Sequence, residues 1–400
     1  MSSPKIPGGS EPASGEHGSP NIMVVMGTRP EGIKLAPVVL ALQERRDRCR
    51  VETVVTGQHR QMLDQVLRVF GITPVADLDL MRPGQTPAEV TARTLVRLVP
   101  VLQDMKPDVL LVQGDTTTSF AAALAAFYQR IPVGHVEAGL RTFDKYAPFP
   151  EEINRRLTSC LVDWHFAPTE WSRQNLLQEN VPPSSVFVTG NTVIDALLRT
   201  VDKGYQLQDA RVRELLERYR VVLVTAHRRE SFGEPLREIC RSLLEIVQHH
   251  PDVAVIYPVH LNPEVQKPVR ELLGDSDRIY LCAPMDYVPF VQLMDRCYLI
   301  LTDSGGIQEE GPSLGKPVLV MREKTERPEG IEAGTVKLVG TARARIVAEA
   351  SRLLTDAKAY AAMANVRNPY GDGKAAGRVV DILLECLGRT RQAVGGAVRG

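Results

Sequence analysis

Continuous apolar runs, each followed by turn residues and then by a helical pattern, recur along almost the whole chain. Residues 22–26, 109–112 and 132–136 are examples. Apolar runs without alternation are typical of strands that are buried on both faces, as in parallel sheets. Since parallel strands need crossover connections, usually helices, the pattern predicts an α/β fold of parallel sheets covered by helices.

The strand and helix series ends once and then restarts, which indicates two domains. A polar connection at 202–209 separates the last strands of the first series from an apolar run at 221–225, and 400 residues are enough for two cores. We predict a disordered extension at 1–20, a Rossmann-like domain at 21–190 and a second one at 191–370. A C-terminal helix at 371–392 is expected to pack back on the first domain. The simplest architecture is two doubly wound sheets facing each other across a cleft.

Composition excludes several classes of function. Lys plus Arg and Asp plus Glu balance at 48 each, so no basic footprint for nucleic acid exists at the level of the whole chain. The six cysteines are scattered, which argues against a disulfide framework or a zinc site. The apolar runs are too short to span a bilayer, and 1–20 lacks the apolar centre of a signal peptide. These features favour a cytoplasmic protein.

The stretch 302–310 has the strongest local signal for a ligand. An apolar run ends there in Asp303, Ser304 and a glycine pair, and a helical pattern follows. A helix that begins at glycines exposes backbone N–H groups to an anion. Glu310 then lies about one and a half turns into the helix, where its carboxylate can accept ribose hydroxyls. The alternative is a glycine turn selected only for tight packing.

Carboxylates and cations follow the strands of the first domain. Asp115 and Glu137 follow two apolar runs, and the carboxyl ends of parallel strands are where such sheets bind ligands. Glu151, at a helix start, is the third candidate, although an acidic first turn is also a common helix-dipole partner. Arg29 and Lys34 flank another helix start and suit phosphate, or are simply solvated cations.

Several motifs resemble those of the non-hydrolysing bacterial UDP-N-acetylglucosamine 2-epimerases, in order and with few gaps over 22–387. They lie at 27–31, 114–118, 135–142, 150–152, 227–230 and 304–320. The resemblance implies two Rossmann-like domains in a GT-B-like fold and reversible interconversion of UDP-N-acetylglucosamine and UDP-N-acetylmannosamine.

The resemblance also implies a role for individual residues. Proton transfer falls to Asp115, Glu137 and Glu151, and which of them is the base in each direction stays open. Catalysis and substrate binding together involve these positions: His227, Arg29, Lys34, Arg228, Met285, Phe290, Ser304, Gly305, Gly306, Glu310 and Arg327. Met285 replaces a polar residue usual beside the uracil, so a backbone contact is expected there. The resemblance implies that the uracil stacks on Phe290, although by its spacing the residue is equally consistent with a core aromatic.

The chemistry accounts for this set of groups. The hydrogen on carbon 2 is not acidic until the bond from carbon 1 to the diphosphate breaks. Elimination of UDP gives a 2-acetamidoglucal, and protonation from the opposite face with return of UDP inverts the centre. That route needs acid/base groups and positive charge on the diphosphate. It needs no cofactor, and no metal cluster is visible in the sequence.

Three alternatives remain open at this point. A UDP-sugar glycosyltransferase of the same fold would need an acceptor, and three clustered carboxylates speak against it. A non-catalytic UDP-sugar sensor would bind without exchange of the carbon 2 hydrogen. A hydrolysing epimerase would release free N-acetylmannosamine.

Two further expectations come from the resemblance alone. Some relatives bind activating substrate near Gln58, His59 and Gln61, but the Arg that assists there falls at Gly84 in this chain. We therefore predict that substrate activation is weak. The family also implies a homodimer.

Overall fold

The computed structural model describes residues 19–57, 60–82 and 84–397, with the backbone alone at 60, 61 and 390–397. Most of the predicted extension at 1–20 lies outside these residues. The described chain separates into two compact units. Unit 1 comprises Met1–Ala196 with Gly373–Gly400, and unit 2 is Leu197–Asp372.

Unit 1 contains a seven-stranded sheet. Its strands are β1 Asn21–Met26, β2 Arg50–Val55, β3 Ala76–Asp77, β4 Val109–Gln113, β5 Val133–Val136, β6 Trp164–Ala167 and β7 Val186–Val188. Its helices are α1 Arg29–Gln43, α2 Arg60–Phe70, α3 Pro87–Met105, α4 Thr117–Tyr128, α5 Glu151–Leu161, α6 Glu170–Gln178 and α7 Thr192–Thr200, the last of which crosses into unit 2. The strand order is β3-β2-β1-β4-β5-β6-β7, with parallel pairing throughout.

Unit 2 contains a six-stranded parallel sheet. Its strands are β8 Arg220–Thr225, β9 Val253–Pro258, β10 Ile279–Cys282, β11 Leu299–Thr302, β12 Val318–Val320 and β13 Val336–Leu338, in the order β10-β9-β8-β11-β12-β13. Its helices are α8 Ala210–Arg218, α9 Glu234–His249, α10 Pro263–Leu273, α11 Tyr287–Arg296, α12 Gly305–Ser313, α13 Pro328–Ala333, α14 Arg343–Thr355 and α15 Ala357–Ala364. The chain then returns to unit 1 as α16 Ala375–Ala397. The prediction of an α/β fold with two parallel sheets is confirmed.

The apolar runs form these strands because both faces of each sheet are covered. In β1, Ile22 and Val24 belong to one core cluster while Met23 and Val25 belong to the cluster on the opposite face. Helix α16 contributes to the first of these clusters through residues such as Val380. Burial on both faces removes the need for polar alternation, which is the physical reason for the continuous apolar pattern.

Strand order reverses once in each sheet, and both reversals have the same form. In unit 1 the chain continues from β1 to β2 on one side of the sheet and from β4 to β5 on the other side. In unit 2 it continues in the same way from β8 to β9 and from β11 to β12. Loops at such a switch point diverge and leave a crevice at the carboxyl ends of the strands, which is where open α/β sheets bind ligands. The two switch points are therefore the places to look for function.

Candidate active site

A buried glutamate joins the two loops at the switch point of unit 1. Thr28 caps α1, and Glu31 completes the capping box by accepting the Thr28 N–H at 2.5 Å and the Gly27 N–H at 3.0 Å. Its other oxygen accepts the hydroxyls of Thr116 and Ser119, each at 2.7 Å. Burial raises the pKa of Glu31 above its ordinary value, against the effect of these donors. Glu31 thus fixes the loop after β1 against the start of α4.

Glu137 follows β5, and an ion pair and hydrogen bonds hold its side chain. Its backbone has φ of 63°, a left-handed conformation that is uncommon for non-glycine residues and concentrates at functional sites. The side chain is 4% exposed. Its carboxylate forms an ion pair with Lys34 and accepts hydrogen bonds from Gln113 and, at 3.0 Å, from Asn191. Lys34 is therefore not a solvated cation.

Asp115 follows β4, the strand beside β5, and is bound by an arginine from α5. Arg155 donates to Asp115 Oδ2 from Nε at 2.9 Å and from Nη2 at 2.6 Å, and Nη1 donates to Glu152 at 3.1 Å. Burial acts to lower the pKa of Arg155, but the two carboxylates raise it above its ordinary value. Glu152 also accepts the N–H groups of Thr142 and Phe143, at 3.0 and 3.1 Å. One arginine thus links Asp115 to the loop that follows Glu137.

The two glutamates at the start of α5 have different surroundings. Glu152 is 1% exposed and fully engaged in this network. Glu151 instead lines a cavity of about 500 Å³ together with Asp115. The rest of the lining is Thr28, Met81, Arg82, Gly84, Gln85, Pro87, Val90, Thr116, Thr117, Pro150 and Asn154. Glu137 lies beside this group, because a Cβ on Gly114 would lie 3.5 Å from its Oε2. Unit 1 thus brings the three predicted carboxylates into one region.

A neutral histidine, His135, donates a hydrogen bond to the turn that precedes Asp115. His135 in β5 is 1% exposed, and its Nε2 lies 2.7 Å from the Gly114 carbonyl oxygen. Since a carbonyl only accepts, Nε2 carries the proton. Burial lowers the pKa of His135 to about 3. The imidazole is therefore uncharged at neutral pH and serves as a fixed donor to the turn before Asp115.

The switch point of unit 2 is organised by Asp303, which follows β11 and is 0% exposed. Its Oδ2 accepts the backbone N–H groups of His227 and Arg228, which follow β8, at 2.6 and 2.7 Å. His227 Nδ1 lies 3.3 Å from Asp303 Oδ1, and its ring stacks on His260 with centroids 5.5 Å apart. Burial lowers the pKa of His227, while Asp303 acts in the opposite direction.

Helix α12 begins at Gly305 with Ser304 as its N-cap, and within the described residues the Ser304 side chain makes no capping hydrogen bond. A Cβ on Gly305 would lie 2.6 Å from Arg327 Nη1, whereas one on Gly306 would lie 3.5 Å from Glu310 Oε2. The first glycine therefore has a packing role in addition to any ligand, because it lets the arginine lie against the helix start. Arg327 is kept there by Glu309, which it contacts at 2.5 Å.

The remaining predicted binding residues lie on separate elements. Phe290 is in the first turn of α11, Met285 precedes that helix, and both are half-buried. Arg29 is the first residue of α1 and is also half-buried. Gln58, His59 and the Gln61 side chain lie outside the described residues, so their predicted role stays a prediction.

Sequence reasoning missed the residues that hold the predicted ones in place: Glu31, Glu152 as a backbone acceptor, Arg155 and Asp303. A signal existed for two of them. The pattern Thr28-x-x-Glu31 before an apolar helix is a capping box, and Asp303 directly follows a buried strand. Nothing local distinguishes Arg155 from other cations of a polar helix.

Two searches of the described residues complete this description. None of the helices in that part of the chain is long and apolar enough to cross a membrane. Within the same residues, no group of three or more His, Cys, Asp or Glu side chains has an arrangement that could hold a metal ion.

Comparisons with known proteins agree over most of the chain. The family model for UDP-N-acetylglucosamine 2-epimerase matches residues 23–384. The chain is 57% identical over 369 residues to the UDP-N-acetylglucosamine 2-epimerase of Salmonella typhimurium, covering 90% of this chain and 98% of that protein. It is 53% identical over 363 residues to the one of Bacillus subtilis, covering 91% and 94%.

A solved structure agrees as well. The crystal structure of UDP-GlcNAc 2-epimerase from Neisseria meningitidis bound to UDP-GlcNAc superposes with a TM-score of 0.82 at 50% identity, covering 91% of this chain and all of the other. The predicted GT-B-like α/β fold is thereby confirmed. The motifs, the family model and these relatives agree, and the chain belongs to the UDP-N-acetylglucosamine 2-epimerase family.

Proposed function

We propose that this protein interconverts UDP-N-acetylglucosamine and UDP-N-acetylmannosamine by eliminating UDP and adding it back, as a non-hydrolysing 2-epimerase. Family membership supports the substrate and the isomerase activity. The intermediate on this route is 2-acetamidoglucal. The roles assigned below to single residues are part of the proposal.

The observation that carries the proposal is the group of carboxylates in unit 1. Asp115 and Glu151 line one cavity, and Glu137 lies beside Gly114. Asp115 follows β4, Glu137 follows β5 and Glu151 begins α5, and we propose that these three elements present acid/base groups to the sugar from more than one direction. Inversion at a carbon centre requires this, since the proton leaves one face and returns to the other.

The elimination step has a simple electron balance. The bond from carbon 1 to the diphosphate oxygen breaks, and its electron pair leaves with UDP. A carboxylate of unit 1 takes the proton from carbon 2, and the electrons of that C–H bond form the double bond between carbons 1 and 2. Addition reverses these changes with the proton delivered to the opposite face. The Arg155 and Lys34 contacts keep Asp115 and Glu137 oriented for these transfers.

Unit 2 supplies the groups suited to UDP. The N–H groups at the start of α12 and the helix dipole favour the diphosphate, and the Glu310 carboxylate accepts from the ribose. His227 and Arg228 add positive charge or donors, and Arg327 binds beside Gly305. Positive charge fixed before the reaction stabilises the leaving diphosphate without reorganisation.

One incubation tests the proposal. Purified protein with UDP-N-acetylglucosamine alone in heavy water should form UDP-N-acetylmannosamine, with one deuterium at carbon 2 detected by NMR and mass spectrometry. The Glu151→Gln variant is the matched control and should form neither. Without that product or exchange the proposal fails: transfer only in the presence of an acceptor identifies a glycosyltransferase, and binding alone identifies a sensor. Free N-acetylmannosamine with UDP would identify a hydrolysing enzyme.

Two features predicted from the sequence also remain proposals. We expect a homodimer on the basis of the family resemblance, with sedimentation equilibrium at two protein concentrations as the measurement. A cytoplasmic location is the second, and fractionation of the producing cells measures it.

A further inference from the structure

We propose that Asp303 is the positioning residue of His227. One oxygen of its carboxylate fixes the backbone of the loop after β8, and the other selects the imidazole tautomer that carries its proton on Nδ1. Nε2 is then the nitrogen available to the diphosphate. This inference rests on the proposed function for the role of His227 toward UDP, but the arrangement itself is a property of unit 2 without ligand.

The backbone part of the argument rests on short hydrogen bonds. Asp303 Oδ2 accepts the N–H groups of two successive residues, His227 at 2.6 Å and Arg228 at 2.7 Å. Hydrogen bonds to a carboxylate are shorter and stronger than neutral ones. Asp303 is itself anchored, because its own N–H donates to the Thr225 carbonyl at 3.1 Å. The ends of β8 and β11 are thus joined through one side chain.

The tautomer part rests on the second oxygen. Asp303 Oδ1 is buried and has no hydrogen-bond partner among the described residues. His227 Nδ1, which can donate when it is protonated, lies 3.3 Å from it. A carboxylate can only accept, and a buried oxygen without a donor is unfavourable. A proton on Nδ1 corrects this, because a small rotation of the ring completes the bond.

The other groups around His227 disfavour its protonated form, so the Asp303 carboxylate is needed to support that form. His260 stacks on the ring, and Arg228 follows in the loop. Both disfavour a positive charge on His227, and burial acts in the same direction. Among the charged and titratable groups described around the ring, Asp303 is the one that favours the imidazolium. The His227 side chain is 38% exposed, so part of the ring remains accessible.

The functional consequence concerns the leaving diphosphate. Negative charge builds on it as the bond to carbon 1 breaks, and a proton or positive charge on Nε2 stabilises that state. A carboxylate behind Nδ1 supports the imidazolium and holds its orientation. In the neutral Nδ1-protonated tautomer Nε2 carries the lone pair, so Nε2 donates to the diphosphate only after it takes up a proton, and the Asp303 carboxylate favours that imidazolium.

The test uses histidine ring ¹⁵N NMR on the full chain without substrate, with the His227 signals assigned by their loss in His227→Gln. In the unmodified protein at high pH we expect the proton on Nδ1. In Asp303→Asn we expect the His227 pKa to fall by about one unit or more, together with about a hundredfold loss of kcat from misplacement of the imidazole. Asp286→Asn, at the exposed N-cap of α11, is the control and should change neither quantity.

Either of two results overturns the inference. One is an Nε2-protonated neutral His227 in the unmodified protein, which needs no variant and so does not depend on Asp303→Asn folding. The other is an unchanged tautomer and pKa in folded Asp303→Asn. Failure of the epimerase proposal is seen separately, as absence of deuterium at carbon 2, while the NMR result stands on its own.

Discussion

The two switch points have the same topology but opposite uses of charge. In unit 1 two of the candidate acid/base carboxylates, Asp115 and Glu151, line a cavity that Arg82 also lines, while Arg155 pairs with Asp115 and Lys34 with Glu137. In unit 2 the groups proposed for the diphosphate are donors, namely the start of α12 and His227, and the buried Asp303 carboxylate supports His227. A doubly wound sheet therefore supplies only the crevice. The chemistry of the crevice depends on the charge of the side chains at the strand ends and of the residues that pair with them.

The difference also extends to how the histidines are used. His135 donates to the Gly114 carbonyl and is held neutral by burial. His227 has Asp303 beside its Nδ1, which opposes the effect of burial. His135 of unit 1 is therefore a fixed structural donor, whereas the charge of His227 in unit 2 can respond to a ligand.

The largest effects should come from removing the carboxylates of unit 1. Glu137→Gln, Asp115→Asn and Glu151→Gln should each lower kcat on the order of 10²–10⁴-fold, because each removes an acid/base group. UDP affinity, measured by calorimetry, should change little, since these substitutions leave the groups that unit 2 offers to the diphosphate and the ribose intact. Glu170→Gln, an exposed carboxylate in the same unit, is the control. A variant with full turnover would remove its residue from the proton transfers.

The next largest effect should come from the cation behind Asp115. Arg155→Met leaves Asp115 without its two hydrogen bonds, and misplacement of a catalytic group costs about 10²-fold in rate. The loss should appear in kcat while UDP binding is retained. Arg156→Met is a matched control, since the neighbouring side chain is 52% exposed and pairs with Glu179 instead. Equal losses in both variants would mean that α5 is simply sensitive to substitution.

How much of such a site the sequence predicts depends on how far apart along the chain the interacting residues are. Strands were predictable because burial on both faces produces apolar runs. The turn before α12 was predictable because its glycines closely follow one of these runs. The positions of Asp115, Glu137 and His227 at strand ends followed from the same local pattern. Parallel pairing was predictable because each strand is followed by a helix.

The supporting contacts could not be predicted in this way because they depend on strand order. Arg155 contacts a residue 40 positions away and Asp303 one 76 positions away. The first pair meets because β4 lies beside β5, and the second because β8 lies beside β11. No periodicity in a single segment encodes that neighbourhood. The same holds for Lys34, which the sequence indicated for phosphate and the structure pairs with Glu137.

The neutral histidine of unit 1 predicts a pH dependence of stability. The folded pKa of His135, about 3, is below its ordinary value of 6.5. Its contribution is therefore complete above pH 6.5 and is lost as the pH falls toward 3. Between pH 7 and pH 5 the free energy of unfolding should fall by about 2 kcal/mol from this group.

Urea unfolding followed by tryptophan fluorescence measures this loss, because both tryptophans, Trp164 and Trp171, lie in unit 1. His135→Gln should remove the part of the pH dependence that comes from this residue, and the remainder includes His165, whose pKa burial lowers, and Glu31, whose pKa burial raises. His249→Gln, at an exposed position in unit 2, should leave the dependence unchanged. An unchanged dependence in His135→Gln would contradict the neutral state of this residue.

The smallest effect separates packing from ligand binding at the start of α12. An alanine at 305 places its Cβ 2.6 Å from Arg327 Nη1, so the guanidinium has to move although Glu309 holds it. An alanine at 306 makes only an ordinary contact, 3.5 Å from Glu310 Oε2. Gly305→Ala should therefore weaken UDP binding about tenfold, and Gly306→Ala should change it less, as measured by calorimetry. If instead Gly306→Ala is the more damaging, the ligand itself lies against that glycine, and close approach of UDP rather than the position of Arg327 explains the glycine pair.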